Sequence, residues 1–248
     1  MEIITKIASE IKNAGGRCFY VGGYVRDKIL DIPNNDIDIE VFHISFHDLE
    51  EILQQYSPLE LMGKSFGIIK LLKYPNIDFA LPRTETKTGN KHTDFTVSVH
   101  PNLSYEDAAK RRDFTCNALM EDVLTGEILD FFSGVEAINK KMLSYVDMHT
   151  FTEDPLRGLR AAQFAARFNF NIDAKTTSLI RTFNYDQLSL ERIQSELQKG
   201  LLSKHTAYFW ETLQELFIFN KLFPELEMNI KSNYYLSLPQ VLISIDQS

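Results

Sequence analysis

The chain of 248 residues is short of several things, and each shortage removes a class of protein. It has only two cysteines, Cys18 and Cys116, with neither metal-type spacing nor the density of a disulfide scaffold. No apolar run approaches the length needed to span a bilayer. The start, Met1-Glu-Ile-Ile-Thr-Lys-Ile, has no charged segment followed by an apolar core, so no signal peptide is expected there. Neither repeats nor low-complexity tracts occur. Positive charge is also in deficit. A formal net charge of −8 argues against indiscriminate binding to polyanions. What remains is a cytoplasmic, globular chain, 44% hydrophobic and 12% aromatic, with ample material for a core and length for one or two domains.

Two neighbouring stretches carry the strongest chemical signal. In Tyr20-Val-Gly-Gly-Tyr-Val-Arg-Asp27, a Gly-Gly turn follows a strand-like run (Arg17–Val21) and opens a helix-like run (Tyr24 to Leu30). Glycines let backbone N–H groups approach an anion, and Arg26 has the fork geometry for phosphate. In Asn35-Asp-Ile-Asp-Ile-Glu40, strand alternation puts Asp36 and Asp38 on one face, roughly 7 Å apart. Carboxylates placed so close call for a divalent cation with hard oxygen ligands. Carboxylates beside a phosphate cradle suggest metal-assisted phosphoryl or nucleotidyl transfer.

Gly-Gly-x-x-Arg-Asp followed by Asp-x-Asp resembles the head domain of class II template-independent RNA nucleotidyltransferases, the CCA-adding enzymes and bacterial poly(A) polymerases. Three further blocks agree in order: Arg111-Arg-Asp-Phe-Thr-Cys-Asn-Ala-Leu119, Glu153-Asp-Pro-Leu-Arg-Gly-Leu-Arg160 and Glu191-Arg-Ile-Gln-Ser-Glu-Leu197. The resemblance implies an α+β head over residues 1–145, with a small mixed or antiparallel sheet, and a helical neck and partial body over 146–248. It implies that Asp36 and Asp38 hold two Mg²⁺ ions. Asp78, on a later strand, either joins them or points to water. Gly22, Gly23 and Arg26 would bind the triphosphate. Arg112 would contact the nucleotide and Asp113 the ribose 2′-hydroxyl, a group that DNA precursors lack. Asp154 and Arg157 would read the base edge with Arg160 in support, since a carboxylate and a guanidinium together offer the acceptors and donors of a pairing partner. Asp27, Asn117 and Glu153 complete the nucleotide-binding set.

The implied reaction transfers CMP and AMP from CTP and ATP to the 3′ end of tRNA and releases pyrophosphate. Full CCA addition, A-only or CC-only addition and poly(A) addition all stay open, as do a catalytically silent RNA-binding relative and self-association into a homo-oligomer. Ser65 and Lys70, in Gly63-Lys-Ser-Phe-Gly-Ile-Ile-Lys70, favour tRNA maturation over poly(A) addition. Gln163 stands where many members have arginine. Members usually continue for roughly another domain's worth of residues, so either a short protein or a piece of a longer one fits.

Elsewhere the pattern predicts a helix over 2–14 with Ile3, Ile4, Ile7, Ala8 and Ile11 on one stripe. It predicts a helix from Phe46 to Tyr56, strands at 66–72 and 76–81, and a long polar loop over 83–103. Ser104 should cap a short helix, and a hairpin should turn at Thr125-Gly126. Beyond Phe151 only helices are expected. Among them, Leu190, Ile193, Leu197 and Leu201 should form a buried stripe, and Arg192 should pair with Glu196.

Overall fold

The computed structural model describes residues 2–62, 67–87 and 95–224, which cluster into two units divided after Ile138. In the first unit, α1 (Glu2–Asn13) buries Ile4, Ile7, Ala8 and Ile11, and Gly15 ends it with φ 91°. Then come β1 (Arg17–Val21), α2 (Gly23–Ile29), β2 (Ile37–Phe42), α3 (Phe46–Gln54), β3 (Leu59–Met62), β4 (Ile68–Leu71) and β5 (Ile77–Ala80). A separate antiparallel pair, β6 (Arg83–Lys87) and β7 (Phe95–Val99), precedes α4 (Tyr105–Lys110) and a 3₁₀ turn at Thr115–Asn117. The unit closes with β8 (Met120–Asp122), β9 (Ile128–Leu129) and α5 (Gly134–Asn139).

Seven strands form one mixed sheet in the order β3-β4-β5-β2-β1-β8-β9. Within it β2 and β5 run parallel, and every other neighbouring pair is antiparallel. Phe19, Ile39, Val41, Phe42, Ile69 and Phe79 are buried in it, together with Ile4, Ile7 and Ile11 of α1. β1 and β2 therefore sit where non-polar burial is greatest, which fixes their register firmly. Capping follows the sequence closely. Ser45 Oγ accepts from Asp48 N and Ser104 Oγ from Asp107 N, both at 3.1 Å.

In the second unit, β10 (Met142–Leu143) pairs in parallel with β11 (Asn171–Ile172). The helices are α6 (Met148–Thr152), α7 (Leu156–Phe168), α8 (Ala174–Ile180), α9 (Leu190–Leu201), α10 (Thr206–Glu215) and α11 (Ile218–Leu222). α7 packs against α9 and α10 and buries Leu159, Ala161, Ala162, Phe164, Ala165 and Ala166. No helix among the described residues is long and apolar enough to cross a membrane. Cys18 and Cys116 are buried and free.

Three expectations need correcting. The segment 83–103 is not one long loop. Its Thr-rich and Val-containing ends form the β6–β7 hairpin, in register from Arg83↔Val99 to Lys87↔Phe95, because β-branched residues favour extended backbone. The region after Phe151 is not wholly helical, since β11 interrupts it. The expected stripe of α9 is only partly buried: Ile193 and Leu197 are half-buried, but Leu190 is 73% and Leu201 45% exposed, whereas Glu196 and Gly200 face inward. Gly200 lies against the Phe209 ring, where a side chain would not fit. Close helix approach at a small residue has won over the apolar pattern.

Candidate active site

The turn between β1 and α2 is built on a buried polar network. Gly22 has φ 67°, a conformation that suits glycine. Beneath it, Arg26 and Asp27 are both buried, at 3% and 0% exposure. Arg26 Nε donates to Asp27 Oδ1 at 2.7 Å and Arg26 Nη1 to Asn117 Oδ1 at 2.6 Å. Asn117 Nδ2 donates to Asp113 Oδ1 at 2.9 Å, which also accepts from Phe114 N at 2.8 Å. Asn34 extends the network towards β2: its Nδ2 donates to Asp27 Oδ2, and its Oδ1 accepts from Asp36 N, both at 2.8 Å. The sequence reading put Arg26 on a phosphate. The structure instead turns its guanidinium inward, where a buried charge requires an adjacent carboxylate. Arg26, Asp27 and Asn117 thus hold the turn and the start of β2 in place.

Asp36 precedes β2 and Asp38 lies within it; both are exposed. The parallel register sets Asp38 directly beside Asp78 on β5. Asp78 Oδ2 meets Lys70 Nζ of β4 at 3.1 Å, while Asp78 Oδ1 is buried with no hydrogen-bond partner in the protein. Removal of water raises the pKa of Asp38. Arg112 works against that rise, and repulsion from Asp36, Asp78 and Glu40 adds to it. Asp78 is thus set beside Asp38 in register and shared with Lys70. Among the described residues, no three His, Cys, Asp or Glu side chains are placed to hold a metal ion by themselves. An unsatisfied carboxylate oxygen and mutually repelling acids nevertheless fit a cation that also takes ligands from a substrate.

Sequence reasoning missed Glu40, although Asp36-x-Asp38-x-Glu40 continues the same alternation. Glu40 is 1% exposed. Its Oε1 accepts from Arg111 Nη2 at 2.7 Å and its Oε2 from Arg112 Nη2 at 3.5 Å. Burial alone would raise its pKa, but Arg111 and then Arg112 outweigh that and hold it below the ordinary carboxylate range. Arg112 is lowered chiefly by burial. Its Nη1 lies so near Gly22 that a Cβ there would come within 2.6 Å of it. Asp38, Asp78, Glu40, Arg83, Arg111 and Arg112 line a cleft of about 180 Å³. Carboxylates and guanidinium groups together line the cleft.

In the second unit, Asp154 precedes α7. Its Oδ1 accepts from Leu156 N at 3.1 Å, and its Oδ2 from Arg192 Nη2 at 2.6 Å. Arg157 Nη1 donates to Thr150 O at 3.0 Å, with the guanidinium 5.9 Å from the Phe151 ring centroid. Arg160 lies 4.0 Å from Glu196 and 4.9 Å from the Phe164 ring centroid. Glu196 also binds Lys199 at 2.7 Å. The expected Arg192–Glu196 pair is thus replaced by two bridges from α9, one to Asp154 and one to α7. Glu153 is half-buried at the end of α6, and Gln163 is buried in α7. Ser65 lies outside the described residues.

The chain has known relatives. Residues 18–144 match the family described as "Poly A polymerase head domain", and residues 169–229 match "Probable RNA and SrmB- binding site of polymerase A". The chain is 37% identical over 217 residues to the "Multifunctional CCA protein" of Pasteurella multocida (strain Pm70), covering 85% of this chain and 50% of that protein. Among solved structures, the Thermotoga maritima CCA-adding enzyme complexed with tRNA matches with a TM-score of 0.75 at 24% identity, covering 90% of this chain and 52% of that one. The Bacillus stearothermophilus CCA-adding enzyme in complex with CTP matches with a TM-score of 0.72 at 28% identity, covering 85% and 50%. The chain spans about half the length of these relatives.

Proposed function

This chain belongs to the tRNA nucleotidyltransferase and poly(A) polymerase family, and on that premise we propose that it adds CMP and AMP from CTP and ATP to the 3′ end of tRNA. The observation that carries the reading is the juxtaposition on two central strands: Asp38 paired in register with Asp78, an unsatisfied Asp78 oxygen, and Arg112 set against Gly22.

In the proposed reaction, the RNA 3′-hydroxyl attacks the α-phosphate, the bond to the bridging oxygen breaks, and pyrophosphate leaves. Asp36 and Asp38 would hold two Mg²⁺ ions, with Asp78 as their neighbour. When bound, the ions would lower the pKa of the attacking hydroxyl and stabilise charge at the α-phosphate. Gly22 and Gly23 bring the backbone close to the triphosphate, and Arg112 supplies a forked cation. Arg26, Asp27, Asn34 and Asn117 keep that turn rigid from below, so their part in nucleotide binding is positional. Asp113 is assigned the ribose 2′-hydroxyl. Residues 1–145 act as the catalytic head and 146–248 as the neck, where Asp154 and Arg157 read the base edge, Arg160 supports them, and Glu153 sits at the end of the preceding helix.

The test is incubation with a tRNA lacking its CCA end and each labelled nucleotide in turn, with and without Mg²⁺. Metal-dependent incorporation of C and then A is expected. Incorporation of A alone, C alone or long A tracts would reassign the product. No incorporation of any nucleotide would overturn the reading.

A further inference from the structure

We propose that Glu40 is a positioning residue that sets nucleotide affinity by aiming Arg112 at the Gly22-Gly23 turn. The inference rests on the nucleotide-binding role given to that turn above. Glu40 is 1% exposed, so it does not itself meet a substrate. It lies on β2, between Phe19 of β1 and Ala80 of β5 in register, and its backbone is therefore fixed by two neighbouring strands. Each of its oxygens serves one arginine: Oε1 takes Arg111 Nη2 at 2.7 Å, and Oε2 takes Arg112 Nη2 at 3.5 Å. One carboxylate is thus shared by two guanidinium groups, and all three lie in the cleft with Asp38, Asp78 and Arg83.

Arg112 depends strongly on this hold. Its Nε is buried with no hydrogen-bond partner in the protein. Its Nη1 is packed against Gly22, where even a methyl group would collide. A guanidinium has a fixed planar shape, so binding one nitrogen by Glu40 orients the rest of the fork. The bond from Oε2 thus directs the other nitrogen towards the turn. Without the carboxylate, Arg112 would turn to other acids, of which Asp38 and Asp113 are the nearest influences on it. An interaction of this kind acts on bound nucleotide before and during reaction alike. It should therefore appear in KM more than in kcat.

The experiment measures dissociation constants for CTP and ATP with Mg²⁺ and no RNA. The proteins are the wild type, Glu40→Gln, Arg112→Lys and the double variant, each with a melting curve and, for nucleotide addition, KM and kcat. Hydrogen bonds to charged groups are worth enough to expect a weakening of roughly tenfold or more in each single variant. The double variant should be no worse than the weaker single one, because both changes break the same link. Should Glu40→Gln fail to fold, Glu40→Asp carries the test: it keeps the charge, shortens the reach to Arg112, and should raise KM with kcat little changed. Folded Glu40→Gln protein with wild-type affinity, or losses that multiply in the double variant, would overturn the proposal. If the wild type itself binds neither nucleotide, the nucleotide reading of the turn falls as well, which separates the two failures.

Discussion

Both units collect acids and arginines, yet they treat them in opposite ways. On the central strands, Asp78 keeps one buried oxygen without a partner, and Asp38 is pushed towards protonation by the loss of water around its carboxylate and by its acidic neighbours. Around α7, the comparable groups are already engaged. Both oxygens of Asp154 have donors, Arg157 holds a backbone carbonyl, and Arg160 lies against Glu196 and Phe164. A site that must attract cations gains from unsatisfied charge. A site that must discriminate between bases gains from groups that cannot move, since a misplaced donor reads the wrong edge. The contrast is what the proposed function expects, with chemistry in the first unit and selection in the second.

The largest expected effect tests the first half of that contrast. Asp36→Ala or Asp38→Ala should reduce nucleotide addition on the order of 10²-fold or more, the scale of losing electrostatic stabilisation at a reacting centre. The melting temperature should not fall, because a mutually repelling carboxylate has been removed. Wild-type turnover in either variant would end the metal assignment.

Next in size is Arg157→Ala. It should blur the choice of CTP and ATP over UTP and GTP by about one to two orders of magnitude, as expected for a bidentate contact worth roughly 1–3 kcal/mol. Addition should continue more slowly. Intact selectivity in a destabilised protein would make Arg157 a brace for the Thr150 carbonyl and nothing more. Arg192→Met should act in the same direction but only several-fold, since a partly exposed ion pair contributes up to about 1 kcal/mol. The four-nucleotide incorporation assay reads both variants. If Arg192→Met proves as unselective as Arg157→Ala, the reading residue moves to Asp154.

The smallest effect concerns stability against pH. With the pKa of Asp38 raised in the fold, ionisation weakens the native state as pH rises through the folded value. Below the unfolded value that penalty is absent. Asp38→Asn should therefore melt slightly higher than wild type at neutral pH with a chelator present, a small gain because water screens this exposed carboxylate. The gain should vanish on acidification through the carboxylate range. Glu40 has the opposite sign: its lowered pKa contributes stability at neutral pH that is lost as pH falls.

How far the sequence foretold this arrangement depends on the kind of signal. Local signals were legible. Period-3.6 burial in α1, the Ser45 and Ser104 caps, the glycine turn at Gly126 and the alternation through Asp36 and Asp38 all have short-range causes. The pairing of β2 with β5 was not legible, because parallel register is set by packing across the sheet. Hence Asp78 stayed ambiguous until the strands were seen side by side. Burial of Arg26 was hidden for a similar reason: an arginine after a Gly-Gly turn reads equally well as a phosphate ligand or as a buried brace, and only Asn117, far along the chain, decides. The partly exposed stripe of α9 misled because hydrophobic periodicity does not register how closely Gly200 lets a helix approach Phe209.

The parallel β2–β5 pair also has a consequence in time. Asp38 and Asp78 belong to strands separated in the chain by α3, β3 and β4. Contacts of such wide sequence separation form slowly, because loop closure must precede any gain from pairing. A newly made or refolding chain will therefore possess its helices and its caps before it brings Asp38 and Asp78 together. Enzymatic competence should return later than helical signal after dilution from denaturant.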